Sequence, residues 1–205
     1  MTEAAGDLLA ALGRLDEVTR RLRRECPWDR AQDERSIVPH TVEEAYELAD
    51  AAQAGDDAKM VDELGDVLFQ VLFLSLLLEE RGKGDLASVA DACREKLIRR
   101  HPHVFGEREA STAGDVIRNW NEIKRDQEQG GELFGHLPEN LPATIYARKV
   151  LRRAQSGGHE WDGTRAGPGD RLLAAVKEAV DAGEDPELTL RAAADRYRRK
   201  VEEDA

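Results

Sequence analysis

The chain has 205 residues, 40% of them hydrophobic, and only seven prolines, which fits one or two small domains with a real core and argues against disorder. A formal net charge of −12 makes it a poor candidate for non-specific nucleic-acid binding, yet leaves room for an anionic small ligand where a metal ion or a local basic cluster offsets the field. Cys26 and Cys93 are far apart and lack metal spacing, so a reducing compartment and no zinc site are expected.

The first 25 residues mix acids and arginines, unlike a signal peptide. Leu8, Leu12, Leu15, Val18 or Thr19, and Leu22 form one stripe and predict an amphipathic helix over Glu3–Arg24. Glu25-Cys-Pro-Trp-Asp29 breaks it. Thr41 reads as an N-cap, with Thr41-Val-Glu-Glu44 as a capping box, and predicts a helix to about Ala54. After a turn at Gly55-Asp-Asp57, a long helix is expected over Ala58–Glu80, ended by Gly82 and Gly84. Its apolar run, Val67–Leu78, is interrupted by Gln70 and Ser75 and is too short to span a bilayer; the expected address is the cytoplasm. Further helices are predicted over Leu86–Arg100, stopping at His101-Pro102 in a loop, and over Ala113–Gln129. No alternating strand pattern is present. The expected class is all-α: an antiparallel helical bundle over residues 1–130, a Gly/Pro-rich linker at 131–142, and a shorter helical region at 143–205.

That last region weakly echoes the first. Leu151-Arg-Arg153 before Trp161-Asp162 matches Leu22-Arg-Arg24 before Trp28-Asp29, and Gly169-Asp170 matches Gly65-Asp66, each opening an apolar helix. The echo has no counterpart of Thr41–Asp50, and Gly167 stands where Glu63 would have its match.

Glu44 and Glu47, three apart, share a helix face, as do Glu63 and Asp66 on the next helix. The short turn between those helices lets the pairs face each other. Four carboxylates converging in an apolar setting repel one another and are costly to desolvate unless protonated or held by a cation. Their hard oxygens suit Mg²⁺, with Mn²⁺ as a substitute. The competing reading is a solvated acidic face, with Glu43 and Glu44 placed in a first helical turn by the helix dipole. A di-iron bundle would require Glu-x-x-His on two helices, an order these helices lack.

The pattern Glu43-Glu-x-x-Glu47 … Glu63-x-x-Asp66 resembles the signature of the MazG nucleoside triphosphate pyrophosphohydrolases. The likeness extends to Cys26-Pro-Trp-Asp29, Lys96-Leu-Ile-Arg-Arg-His-Pro-His-Val-Phe105 and Trp120-x-x-x-Lys124. It implies an all-α, typically dimeric enzyme that uses Mg²⁺ to hydrolyse nucleoside triphosphates to monophosphate and pyrophosphate. Glu44, Glu47, Glu63 and Asp66 then become the metal ligands, and Glu43 or Glu47 the group that orients the attacking water. In that light Lys96, Arg99 and Arg100, at i, i+3 and i+4, form a basic helix face for phosphate, although the last turn of any helix favours cations. Lys124 is a further phosphate candidate or a surface lysine. Trp28 and Trp120 border the base or fill helix junctions. His101 and His103 read as structural.

Longer members of that family resemble tandem copies, each with its own acids. Here the second copy keeps Asp170 alone, and Glu178-Ala-Val-Asp181 has no paired glutamates before it, so residues 143–205 are expected not to be catalytic. The rival reading is a non-catalytic helical module that binds nucleotides or a partner.

Overall fold

A computed structural model describes residues 3–128, 132–163 and 167–204, with the side chains at 3–5 and 124–128 outside that description. The described residues form helices and connecting turns, with no strand among them. None of these helices is long and apolar enough to cross a membrane. The chain divides into two compact units, Met1–Lys96 and Leu97–Ala205.

The first unit holds α1 (Glu3–Glu25), α2 (Pro27–Ala31), α3 (Glu34–Ala54), α4 (Asp57–Glu80) and most of α5 (Leu86–Arg100). The helices at its centre are α3 and α4, which pack against each other as an antiparallel hairpin. Gly55 makes the reversal possible, at φ +67°, where a side chain would be strained. Asp56 then caps α4 by accepting from the Lys59 N–H at 3.0 Å. Ile37 of α3 and Phe73 and Leu77 of α4 form the buried core, flanked by Phe69 and Leu74. α1 packs on α4 and is fastened at its outer end. Arg20 donates two hydrogen bonds to Glu79, and Arg23 donates two to Glu80 while lying over the Phe73 ring at 5.8 Å.

α3 begins seven residues before the expected start at Thr41. Asp33 is its N-cap: the Asp33 carboxylate accepts from the Ser36 N–H and the Ser36 hydroxyl accepts from the Asp33 N–H, each at 2.9 Å. Pro39 lies inside the helix and removes one backbone hydrogen bond. Burial of Ile37 against Phe73 and Leu77 outweighs that loss. Thr41 is therefore no cap; its hydroxyl turns back to the Ile37 carbonyl at 3.4 Å. The break after Glu25 contains the short helix α2.

The second unit contains α6 (Pro102–Phe105), α7 (Ala113–Glu128), α8 (Ala143–Ser156), α9 (Pro168–Asp181) and α10 (Pro186–Glu203). The expected loop after His101 is thus a single helical turn, and His103 lies within it. The helices α8, α9 and α10 pack against one another, with Val176 and Pro186 buried. Arg148 pairs with Asp185, and Thr144 hydrogen-bonds Glu187. The expected helix end at Gln129 and the boundary at 130/131 lie outside the described residues.

Candidate metal centre

α3 and α4 bring three of the four expected acids together. Glu44, Glu63 and Asp66 each offer an oxygen, and the three oxygens lie within 4.8 Å of one another; among the described residues no other such group occurs. The helical hairpin explains this directly. Glu44 comes seven residues after the core residue Ile37 on α3, and Asp66 seven before the core residue Phe73 on α4, so one register sets both pairs. Glu63 is 5% exposed, Glu44 is half-buried and Asp66 is exposed, so the cluster opens from the seam toward solvent.

The electrostatics fit a site for a cation. Burial, then the charges of Asp66, Glu47, Glu63 and Glu43, hold the Glu44 carboxyl above its usual range. Burial also raises Glu63, followed by Glu47; Lys59, 3.8 Å away, pulls the other way. A hard divalent cation among these oxygens would turn that repulsion into attraction. The donor set therefore suits a metal ion. Glu47 is outside the closest trio, yet its charge bears on both Glu44 and Glu63.

Glu43 and Glu44 are in the interior of α3, not in its first turn, so the helix dipole does not account for them. Glu43 accepts a hydrogen bond from His40 Nδ1 at 3.0 Å, and the His40 ring lies 5.9 Å from that of Trp28. Trp28 is 52% exposed. The first unit therefore carries a Trp28–His40–Glu43 chain beside the acidic residues. The i, i+3 spacing of His40 to Glu43 is visible in the sequence, where it reads only as the reverse of the Glu-x-x-His order of a di-iron site.

Lys96 lies exposed on α5, in the first unit. Arg99 and Arg100 close that helix in the second. Arg100 is buried, and its guanidinium sits over the Trp120 ring at 4.9 Å, with the His101 ring at the edge of Trp120 at 5.0 Å. Burial, and then Arg99, pull the Arg100 guanidinium below its ordinary value. Two expected site residues thus meet each other. Lys124 is on α7, but its side chain lies outside the described part.

In the second unit Asp170, the echo of Asp66, accepts from the Gly167 N–H at 2.8 Å and closes the start of α9. Asp181 pairs with Lys177 at 2.6 Å.

Residues 32–105 match the MazG nucleotide pyrophosphohydrolase domain. The chain is 32% identical over 228 residues to a nucleoside triphosphate pyrophosphohydrolase of Escherichia coli (strain K12), covering 94% of this chain and 86% of that protein. It is 37% identical over 166 residues to the nucleoside triphosphate pyrophosphohydrolase/pyrophosphatase MazG of Thermotoga maritima, covering 80% of this chain and 63% of that one. A crystal structure of a mazG-related protein from Thermotoga maritima aligns with a TM-score of 0.48 at 27% identity, over 55% of this chain and 98% of that one.

Proposed function

The chain belongs to the MazG family of nucleotide pyrophosphohydrolases, hydrolases of acid anhydrides, and from that premise we propose that its α3–α4 acids hold Mg²⁺ for hydrolysis of nucleoside triphosphates to monophosphate and pyrophosphate. The observation that carries this reading is the convergence of Glu44, Glu63 and Asp66 with two of the three carboxyls held above their usual range. With family membership, the rival of a purely binding module gives way to the hydrolase.

Glu44, Glu63 and Asp66 would hold the ion, and Glu47 would join them or take a proton from the attacking water. Bound there, Mg²⁺ would supply positive charge against the phosphates and lower the pKa of a water; Mn²⁺ has the same preference for oxygen. Glu47 is better suited as the base than Glu43, because Glu43 already accepts from His40, whereas the Glu47 charge is the one that acts most strongly on Glu63. The water oxygen bonds to the α-phosphorus, the bond to the β-bridging oxygen breaks, and pyrophosphate leaves. Lys96 and Arg100 offset the charge of the departing pyrophosphate, with Arg99 and Lys124 as further phosphate contacts. Trp28 offers an exposed ring for the base; Trp120 acts through the Arg100 it covers as well as by bordering the base.

Two further assignments go with this reading. The catalytic domain is residues 1–130, followed by a linker at 131–142 and a non-catalytic second region at 143–205. The enzyme works as a homodimer: Val61, Leu64, Leu68 and Val71 make an exposed apolar stripe along α4 at helical spacing, which a second copy would cover.

Phosphorus NMR of the protein incubated with nucleoside triphosphate and Mg²⁺ tests the reaction. Monophosphate and pyrophosphate are expected. Diphosphate with orthophosphate would contradict attack at the α-phosphorus.

A further inference from the structure

Between the acidic cluster and the apolar core of the hairpin sits one amide, Gln70. It follows Asp66 by four residues and precedes Phe73 by three, and the spacing 63, 66, 70 puts it on the α4 face that carries Glu63 and Asp66. Because Asp66 meets Glu44 and Phe73 meets Ile37 across the same seam, Gln70 lies within that seam, one turn inward of the acids. Its residue is 6% exposed, and its Oε1 is buried without a hydrogen-bond partner among the described residues.

A buried amide oxygen without a partner is costly, and a leucine or methionine would fill the same space without that cost. What the position offers is a neutral acceptor directly behind a carboxylate cluster. Divalent magnesium and manganese keep several waters when held by few carboxylates, and those waters are strong donors in need of acceptors. A further carboxylate there would add to the repulsion that already raises Glu44 and Glu63; an amide oxygen accepts without adding charge.

We propose that Gln70 is a positioning residue of the metal site, its Oε1 accepting a hydrogen bond from a water that completes the ion's coordination on the inner side of Asp66. The proposal rests on the metal reading of Glu44, Glu63 and Asp66. Outer partners of this kind typically change metal affinity by about 10–100-fold when removed.

The test titrates Mn²⁺ into wild type, Gln70→Met and Gln70→Glu by electron paramagnetic resonance of the free ion, with thermal melts in EDTA and in Mn²⁺. Gln70→Met conserves volume and removes the acceptor. It is expected to bind Mn²⁺ about tenfold or more weakly, while its melting temperature in EDTA is unchanged or higher, because an unpaired polar atom has gone. Gln70→Glu keeps an acceptor oxygen and is expected to gain more melting temperature from Mn²⁺ than wild type does. Wild-type affinity in Gln70→Met overturns the role of Gln70 alone. If Gln70→Met melts lower in EDTA, Gln70→Glu decides: an Mn²⁺ shift equal to wild type's marks a packing role and overturns the proposal. No Mn²⁺ binding by wild type overturns the metal site and the proposal with it.

Discussion

At the scale of single residues, the site is governed by carboxyls that the fold makes hard to ionise. Glu44 and Glu63 both lie above the usual glutamate range because they are buried beside other acids. The sign of the consequence is fixed by linkage. Between the ordinary value near about 4.3 and the raised folded value, the folded state holds more protons than the unfolded chain, so stability falls as pH rises through that window. Their contribution is complete below the ordinary value. Carboxylates with good partners, such as Glu79 and Glu80 on α1's arginines, respond in the opposite sense. The difference between wild type and Glu63→Gln isolates the cluster. In EDTA, melting curves across about pH 4–8 should show wild type losing stability relative to Glu63→Gln as pH rises, and Mg²⁺ should abolish that loss by binding the ionised form. The acids themselves were legible in the sequence, since three-residue spacing on two successive helices is a one-dimensional pattern. The His40–Glu43 spacing is equally one-dimensional, but the contact of the His40 ring with Trp28 and the unpartnered oxygen of Gln70 were not legible, because they depend on how α2, α3 and α4 meet.

At the scale of elements, α3 decides where the acids fall. The sequence reading places the cap at Thr41 alone. The structure caps the helix earlier, since Asp33 and Ser36 satisfy each other and Ile37 is driven into the core, 1% exposed. That choice moves Glu43 and Glu44 from a helix start to a helix interior, and so removes the helix-dipole account of them. Asp33→Ala should cost about 1 kcal/mol, seen as a melting-temperature decrease of about 2–4 °C, with turnover little changed. The boundaries of α4 and α5 were legible to within a residue, because glycine and the His101-Pro102 step punctuate them locally. The start of α3 was not, because the Asp33–Ser36 cap prevails over Pro39 only together with the tertiary burial of Ile37.

At the scale of the whole molecule, the all-α class followed from helical periodicity throughout, and the chain's family supplies its chemistry. The second region keeps helices but uses its remaining acids for structure: Asp170 ties down the start of α9, Asp185 pairs with Arg148, and Asp181 pairs with Lys177. If residues 143–205 are not catalytic, Asp170→Ala leaves pyrophosphate release at the wild-type rate and lowers stability by about 1 kcal/mol or less, which a parallel assay and melt would show. The central claim concerns the first stretch, where Glu63 is the most buried acid of the cluster. The direct measurement is the rate of Mg²⁺-dependent pyrophosphate release by Glu63→Gln, with folding verified by an intact melting transition. A fall of about 100-fold or more is expected, as for loss of a charged group that holds the metal. A folded Glu63→Gln protein with wild-type turnover would contradict the account.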